Sequence, residues 1–464
     1  TEPPTQYRCA MIRLTAREAL IGSRAASCGL AEHGVSPGDR IVICVPPTPG
    51  RSSAEEHALL IQVAWAAVRS QVTPVMINPA LPSAAQERMI ADADAALSIT
   101  TNAQMRSLVS AKVTGRNHDH GVFTARPMHY TSGTTGEAKG VWTGFLPAEM
   151  LTSWWTDEQT QWGFDGSDTT LVHGPLSSSA PLRHSLLVLA AGGDVLLPGS
   201  FDPVAIARSL AEDRPTTAFT VPSHWQRLFE LPDLPPSPYR LLAHAGSACP
   251  ADTKRQIHAW AGAEHTWEFY GSTEGQFSIC SGHEWEEHPG TVGKARVGRR
   301  LFTRDATIWC ETPKNSGFEY WRDPQKTSDA WCELPGGAVA FSVGDLGHID
   351  TNGYLYLDGR RDDLIITGGM NVYPAHIEAA LSAIRGVTEA AVFGIASPEW
   401  GQQVCAAIVG DASDAQISNA LAESLAGYQR PKVIVRVDDL PRNPMGKVQR
   451  LELPGLLGLD KETR

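Results

Sequence analysis

Residues 40–78, RIVICVPPTPGRSSAEEHALLIQVAWAAVRSQVTPVMIN, contain the pattern that decides the fold. Residues 40–45 form a short apolar run typical of a buried strand, and residues 72–78 form a second one. Between them, residues 56–68 place apolar side chains at helical spacing. Two such strands joined by a helix make a βαβ unit, so this region predicts a sheet covered by helices.

The same alternation of helix and strand recurs further along the chain. Helical patterns at residues 83–97, 201–213 and 254–263 each precede a short apolar run. This repetition is typical of a parallel or mixed sheet with helices packed on it. We therefore predict an α/β fold class for a large N-terminal domain.

The character of the sequence changes after residues 353–363, GYLYLDGRRDD. An apolar run at 364–367 and a helical pattern at 375–384 are followed by further apolar runs at 389–395 and 433–440. Short strands mixed with a helix in this way predict a small α+β domain at the C-terminal side.

Length and composition agree with a globular chain of two parts. The 464 residues exceed the roughly 250–300 at which a single core stops growing, and we predict domains at 1–361 and 362–464. With 42% hydrophobic and 19% charged residues, the composition is that of an ordinary folded protein. The formal charge of −12 argues against general binding to nucleic acid or to anionic membranes, which need clustered Lys and Arg.

The cysteines and the start of the chain favour a cytoplasmic protein. The eight cysteines show no CxxC pair and no zinc-type spacing, so we interpret them as reduced thiols. No apolar run approaches the roughly 18 residues of a membrane span, and TEPPTQYR at residues 1–8 lacks the features of an export signal.

Residues 129–141, HYTSGTTGEAKGV, form the most informative motif for function. Glycines let the backbone turn tightly beside a ligand, hydroxyl side chains donate hydrogen bonds, and Lys139 supplies a positive charge for phosphate oxygens. The candidate phosphate-binding residues are Thr131, Ser132, Gly133, Thr134, Thr135, Gly136 and Lys139. A surface turn is the alternative, because the same residue types favour loops. The spacing is not that of the GxxxxGK[ST] P-loop.

Five further motifs follow this loop in order. They are FYGSTEG at 269–275, VGDL at 343–346, GYLYLDGRRDD at 353–363, GGMNVYPAHIE at 368–378 and LPRNPMGKVQR at 440–450. Together with the loop, they resemble the superfamily of acyl-CoA synthetases, peptide-synthetase adenylation domains and firefly luciferase. The likeness covers nearly the whole chain and is greatest to bacterial acyl-CoA ligases.

The resemblance implies an AMP-forming ligase that uses ATP and Mg²⁺. Such an enzyme activates an acid to a bound adenylate, releases pyrophosphate and passes the activated group to an acceptor. It also implies a small C-terminal domain that rotates about a hinge at Asp362 between the two half-reactions.

The resemblance also implies roles for the reacting groups. Lys447 matches the lysine that contacts the carboxylate and the α-phosphate during adenylation. Glu274 matches a Mg²⁺ ligand and Thr273 a phosphate contact, and oxygen ligands suit this hard cation. Without the motifs, Lys447 and Glu274 are ordinary surface charges.

Other matched residues would bind the nucleotide and the thiol donor. Tyr270, next to Gly271, matches the aromatic residue that packs on adenine, with Ser247 on the opposite side of the base. At the ribose, Asp345 matches the carboxylate that takes both hydroxyls and Arg360 the basic residue beside it. The pair Gly368 and Gly369 resembles the loop lining a narrow tunnel for CoA. A simple turn before a strand is the alternative, since a glycine pair does not by itself identify a tunnel.

One motif departs from the resemblance at the acyl pocket. Residues 175–182 read PLSSSAPL where related ligases usually read PLYHSAPL, so Ser177 and Ser178 replace an aromatic residue and a histidine. His173 or His184 could substitute from nearby, but a lone histidine is more often structural. The substrate-pocket candidates are Ser178, Trp225, Ala245, Gly246 and Gln276.

Several functions stay open at this point. The first is a CoA ligase for an aromatic or medium-sized acid, and the second is an adenylation enzyme that loads a carrier protein. A third is a diazotase that adenylates nitrite for reaction with an aromatic amine, which the altered pocket permits. A nucleotide-binding regulator without turnover is the alternative from a different class.

Overall fold

The computed structural model describes residues 11–47, 53–114, 118–131, 138–144, 147–199, 201–313, 316–360, 363–442 and 448–459. The chain divides into two compact units. The first unit comprises Thr1–Pro289, Arg296–Arg300 and Glu311–Phe341, and the second comprises Gly290–Ala295, Leu301–Cys310 and Ser342–Arg464. The boundary predicted between residues 361 and 362 lies within the second unit. Asp362 lies outside the described residues, so the hinge stays a prediction.

The described strands alternate with helices over most of the chain. In chain order the strands are β1 (Ile12–Leu14), β2 (Arg40–Ile43), β3 (Thr73–Met76), β4 (Leu97–Ile99), β5 (Met128–Thr131), β6 (Lys139–Trp142), β7 (Thr169–Val172), β8 (Asp194–Leu197), β9 (Thr217–Thr220), β10 (Leu241–His244), β11 (Thr266–Gly271), β12 (Gln276–Ser281), β13 (Lys294–Ala295), β14 (Arg300–Arg304), β15 (Thr307–Glu311), β16 (Glu319–Tyr320), β17 (Trp331–Glu333), β18 (Val339–Phe341), β19 (Asp345–Ile349), β20 (Leu355–Arg360), β21 (Ile365–Thr367), β22 (Met370–Val372), β23 (Val387–Ser397), β24 (Gly401–Gly410) and β25 (Val433–Arg436). The helices are α1 (Ala16–Glu32), α2 (Ser53–Arg69), α3 (Ser83–Asp92), α4 (Asn102–Val109), α5 (Ala148–Trp162), α6 (Ser179–Ala190), α7 (Pro203–Glu212), α8 (Pro222–Phe229), α9 (Ala251–Ala261), α10 (Gly282–Glu287), α11 (Pro324–Ala330), α12 (Pro374–Ser382), α13 (Asp414–Ser424) and α14 (Leu453–Leu456).

The smaller sheet of the first unit contains the predicted βαβ unit. Its strand order is β16-β6-β5-β3-β2-β4. Strands β2 and β3 run parallel, with Arg40 paired to Thr73, and α2 connects them. The apolar side chains of β2 are buried, which is why this run forms an inner strand.

The helix predicted at residues 83–97 is shorter than expected. α3 ends at Asp92, and Asp94 takes a left-handed backbone conformation with φ of 49°. Leu97 then begins β4, which pairs parallel with β2. A short polar residue tolerates this left-handed conformation, so the chain turns here from helix to strand.

The larger sheet of the first unit has a parallel centre. Strands β8, β7, β9, β10 and β11 run parallel in that order, and β1 and β12 pair antiparallel at its two sides. The predicted helices before β9 and β11 are α7 and α9. α7 begins where the Asp202 side chain accepts hydrogen bonds from the backbone N–H groups of Val204 and Ala205. Gly262, at φ of 87°, follows the end of α9.

The second unit contains the predicted strands and helix of the small α+β part. β23 and β24 form a long antiparallel hairpin, β25 pairs parallel with β24, and β21 pairs antiparallel with β22 and β24. α12 and α13 cover this sheet over a core that includes Ile377, Leu381, Ile417 and Leu421. In the same unit, β19 pairs antiparallel with β15 and β20.

The structure also bears on the state of the cysteines and on the expected lack of a membrane span. The cysteines in the described part of the chain are free, as predicted. Among the described residues, no helix combines the length and apolarity needed to cross a lipid bilayer.

Candidate active site

A tight turn between β11 and β12 carries Thr273 and Glu274. The turn depends on two glycines. A Cβ added to Gly271 would lie 2.8 Å from the carbonyl oxygen of Gly275, and one added to Gly275 would lie 2.6 Å from Phe341 Cζ. Because a side chain at either position would collide, the glycines hold the predicted phosphate and metal residues in this turn.

Thr273 and Glu274 line a cleft within the first unit, which we call the arginine cleft. The described residues that line it are Arg126, Glu158, Arg183, Thr273, Glu274, Gly275, Gln276, Arg299, Thr312, Ser316 and Phe341. Of these lining residues, Phe341 alone carries an apolar side chain. The cleft is therefore polar, with three guanidinium groups on its walls.

A buried charge network lies at the base of the arginine cleft. Glu158 and Arg296 expose only 2% and 1% of their side chains, and they form a hydrogen-bonded ion pair. Arg296 also donates a hydrogen bond of 2.7 Å to Gln276 Oε1, and its other terminal nitrogen lies 3.2 Å from Asp157 Oδ2. Arg183 Nε lies 3.8 Å from Glu158 Oε2. Gln276, predicted as a pocket residue, is thus held by this network.

The electrostatics of this network keep its charges ionised at neutral pH. Burial raises the pKa of Glu158, but Arg183 and Arg296 outweigh this effect and hold the pKa at about 2. Burial lowers the pKa of Arg126 to about 9; Glu158 opposes this effect, and repulsion from Arg183 and Arg299 adds to it. The cleft is thus a site where positive charges crowd one another.

Two contacts fix predicted residues near the turn. Tyr320 donates a hydrogen bond of 2.8 Å to Glu274 Oε1 and orients that carboxylate. Lys139 Nζ lies 3.4 Å from Asp323 Oδ2, and Thr131 is paired with Lys139 across strands β5 and β6. The structure therefore places the described ends of the phosphate loop beside the start of α11.

The candidate adenine-binding residues leave the larger sheet at one edge. β10 and β11 are parallel neighbours, so Ser247 emerges at the same edge as Tyr270, together with Ala245 and Gly246, which were predicted for the substrate pocket. Ser247 is exposed, whereas Tyr270 is largely buried against Phe277 at a ring distance of 4.8 Å. This edge brings the predicted residues together as two adjoining segments.

The predicted ribose and CoA residues belong to the second unit. Asp345 is buried, and its backbone pairs with that of Arg360, whose side chain lies outside the described part. Gly368 and Gly369 form the two-residue turn of the β21–β22 hairpin, with φ of 56° and 77°. The Gly368 N–H donates to Trp400 O at 2.8 Å. The glycine pair is thus a hairpin turn that requires left-handed conformations.

Some predicted pocket residues do not line the arginine cleft. Trp225 is fully buried in an apolar cluster and donates a hydrogen bond of 2.8 Å to Thr220 Oγ1. Ser178 lies at the start of α6. His173 and His184 are buried, and burial lowers the pKa of His184 to about 3. Both histidines are neutral at physiological pH, which favours their structural interpretation.

Other predicted residues lie outside the described part of the chain. These are Ser132, Gly133, Thr134, Thr135 and Gly136 of the phosphate loop, Asp362, and Lys447. Their predicted roles remain predictions.

The sequence reasoning missed the charges of the arginine cleft. Glu158 lies in α5, Arg183 in α6 and Arg126 just before β5, so nothing in sequence spacing connects them. The available signal was Arg183 itself, a charged residue within the otherwise apolar helix SAPLRHSLLVLA. A charge on a helix that packs into a core is costly unless it is paired, and it therefore marks a polar site.

Two family models match the chain. Residues 124–307 match the AMP-binding enzyme model, and residues 376–447 match the model of the AMP-binding enzyme C-terminal domain. The chain belongs to the AMP-binding enzyme family. Both the recognised superfamily and the predicted fold class are confirmed.

Individual relatives of this AMP-binding enzyme include proteins named as a CoA ligase and a CoA synthase. The uncharacterized acyl-CoA ligase YhfT of Bacillus subtilis is 29% identical, over 70% of this chain and about two thirds (67%) of its own length. Feruloyl-CoA synthase of Amycolatopsis is 28% identical, over 92% of this chain and 90% of its own length. The crystal structure of ATP-bound MatB from Rhodopseudomonas palustris is 28% identical, with a TM-score of 0.78 over 95% of this chain and 93% of MatB. The expectation of an AMP-forming ligase is confirmed at the level of enzyme type.

Proposed function

We propose that this AMP-binding enzyme uses ATP to convert an acid to an enzyme-bound adenylate, releases pyrophosphate, and transfers the activated group to CoA. The observation that carries the proposal is the likeness to ATP-bound MatB along 95% of the chain, together with matches to both family models. Similarity that extends through both parts favours retention of a complete adenylating machinery.

The described residues have the chemistry that ATP and Mg²⁺ require. Among them, no group of three His, Cys, Asp or Glu side chains is arranged to hold a metal ion. A Mg²⁺ ion at Glu274 would bind its carboxylate oxygen, and Mg²⁺ commonly takes further ligands from phosphate and water oxygens. The bound Mg²⁺-ATP would supply the electrophilic α-phosphorus.

The protein's own groups would position and neutralise the reactants. Thr273 would donate a hydrogen bond to a phosphate, and Lys139 would exchange Asp323 for a phosphate oxygen. We propose that Lys447 places its charge between the acid and the α-phosphate, where negative charge is shared during displacement. Tyr270 and Ser247 would hold adenine, and Asp345 with Arg360 would hold the ribose.

CoA is the favoured acceptor because the relatives described above are named as CoA ligases or a CoA synthase. We propose that Gly368 and Gly369, which present only backbone at the turn of the β21–β22 hairpin, line the path of the pantetheine arm. A carrier protein and an amine are the acceptors to be tested against CoA.

The deciding experiment measures pyrophosphate release from ATP and Mg²⁺ with a panel of single acids, including nitrite. Each reaction is run alone, with CoA, and with an aromatic amine. Release that depends on an acid, followed by formation of a thioester, supports the proposal. Pyrophosphate release that is coupled only to consumption of the amine assigns the amine as the acceptor. ATP binding without pyrophosphate release, whichever acid is present, contradicts adenylation.

A further inference from the structure

The arginine cleft has features that no role above explains. The lining guanidinium groups of Arg126, Arg183 and Arg299 face the same space as the hydroxyls of Thr312 and Ser316. Guanidinium and hydroxyl groups are all donors, and together they suit the oxygens of an anion. The cleft therefore has the donor set of an oxyanion site.

Both carboxylates that line the cleft, Glu158 and Glu274, are already hydrogen-bonded within the protein, and Glu274 Oε1 accepts from Tyr320. Glu158 Oε1 accepts from Arg296, and Oε2 lies 3.4 Å from Gln276 Nε2. Among the described residues, no atom accepts a hydrogen bond from the buried Nε of Arg183. A buried donor without an acceptor is costly, so an anion in the cleft would stabilise it.

Repulsion between the guanidinium groups also favours binding of an anion. Burial is the largest cause that disfavours the charged form of Arg126; Arg183 and Arg299 add to it by repulsion, whereas Glu158 favours the charged form. A bound anion would relieve this repulsion, because opposite charges interact strongly where water is excluded.

The room in the cleft limits the size of its ligand. The cavity volume is about 30 Å³, which holds roughly two water molecules. The Glu158–Arg296 pair and Gln276 occupy its base, and Phe341 alone offers an apolar contact from the lining residues. A hydrocarbon chain or an aryl ring would have to displace a buried ion pair to enter.

We propose that the arginine cleft is the acid-binding site of this enzyme and that it selects a compact oxyanion over acids with an alkyl chain or an aryl ring. The proposal rests on the proposed function, since it names the acid that the adenylating site activates. It replaces the expectation of an aromatic or medium-sized acid. Arg183 is the specificity-determining residue, because it lies 5.9 Å above the Phe269 ring and presents its charge to the cleft.

The first test compares kcat/KM for pyrophosphate release with nitrite and acetate against hexanoate and benzoate. The intact chain is expected to prefer one of the two compact acids at least tenfold. Arg183→Leu removes the charge and opens apolar space over Phe269. It is expected to lower kcat/KM for the preferred compact acid at least tenfold and to raise kcat/KM for hexanoate. Arg183→Lys, which keeps the charge, should retain more activity with the compact acid.

Arg227→Leu is the matched control. Arg227 also packs over a phenyl ring, 4.8 Å from Phe201, but it is exposed and does not line the cleft. It should leave the acid preference unchanged. A tenfold preference of the intact chain for hexanoate or benzoate would overturn the proposal, as would an equal change of preference in both leucine variants.

A second test does not depend on turnover. Isothermal titration without ATP measures binding of nitrite, acetate and pyrophosphate to the intact chain and to Arg183→Leu. Binding of a compact acid that is lost in the variant supports the site, even if no acid releases pyrophosphate and the proposed function fails. Binding of pyrophosphate alone assigns the arginines to the phosphates of ATP and overturns the proposal.

Discussion

Glu158 is the residue whose environment makes the sharpest prediction. Its carboxylate is buried between Arg296 and Arg183, so Glu158→Gln leaves buried positive charge without its partner. The expected loss in the free energy of unfolding is about 3–5 kcal/mol, measured by urea denaturation at pH 7. Glu55→Gln is the control, since Glu55 and Arg106 form an exposed pair 3.9 Å apart, whose loss costs at most about 1 kcal/mol.

Glu158 also makes the free energy of unfolding depend on pH. Because the folded pKa of Glu158 is about 2, below the ordinary value of 4.5, its ion pairs stabilise the protein fully above pH 4.5. This contribution is lost as the pH falls from 4.5 towards 2. The difference in unfolding free energy between the intact chain and Glu158→Gln should therefore shrink across this window. A difference that stays constant would contradict the assignment.

Tyr320 makes a second prediction at the residue scale. Tyr320→Phe removes the hydrogen bond that orients Glu274, and such a bond contributes about 0.5–1.5 kcal/mol. The Mg²⁺ concentration for half-maximal pyrophosphate release should rise roughly two- to tenfold, and more in Glu274→Gln. Tyr239→Phe is the control, because it removes a buried hydroxyl 3.3 Å from His173 and should not change the Mg²⁺ requirement.

How far individual residues could be predicted depended on whether they share a motif. Thr273 and Glu274 are adjacent in the predicted motif, and the glycines on either side hold them in one tight turn. Glu158 and Arg183 come from two helices, and only packing brings them together. Trp225 shows the converse, because a large apolar residue assigned to a pocket fills a core instead.

At the scale of elements, the β21–β22 hairpin turn tests the predicted path of CoA. Gly369→Trp is expected to lower thioester formation at least tenfold while pyrophosphate release in the first half-reaction is retained. Gly337→Trp is matched to it, since Gly337 lies with Gly336 in the turn between β17 and β18 at φ of 79°, close to the 77° of Gly369. Both substitutions carry similar backbone strain of about 1–2 kcal/mol. Equal losses in both variants would show that strain, not position, causes the effect.

The helices could be predicted from the local spacing of apolar residues, whereas the ends of the elements and the turns between them could not. Apolar spacing predicted α7, α9 and α12, each of which buries one face. It also predicted α2, whose residues from Ile61 to Arg69 are buried on all sides. The end of α3 depended on one left-handed residue, Asp94, which the apolar pattern alone does not indicate. The Gly368–Gly369 turn was legible as a glycine pair, but its hairpin geometry depends on the pairing of β21 with β22.

At the scale of the whole molecule, two parts were predicted from the change in pattern near residue 360. The structure divides the chain into two compact units, and segments from before residue 311 belong to the second one. Such segments are far from the C-terminal part in sequence, and local pattern carries no information about which core they join. The order of motifs therefore predicted the family, whereas the domain limits at residues 361 and 362 stay a prediction.

The last prediction concerns the division of labour between the two half-reactions. If Lys447 acts only while the acid attacks the α-phosphorus, Lys447→Ala should lower acid-dependent pyrophosphate release by roughly 10²–10³-fold, the range for loss of one charge-stabilising group. Thioester formation from chemically prepared adenylate and CoA should stay within a few-fold of the intact chain. Lys432→Ala is the control, since Lys432 is an exposed lysine of the same unit and should affect neither step. Equal loss of both steps in Lys447→Ala would mean that one arrangement of the chain serves both reactions, and the predicted rotation about Asp362 would then have no function to explain.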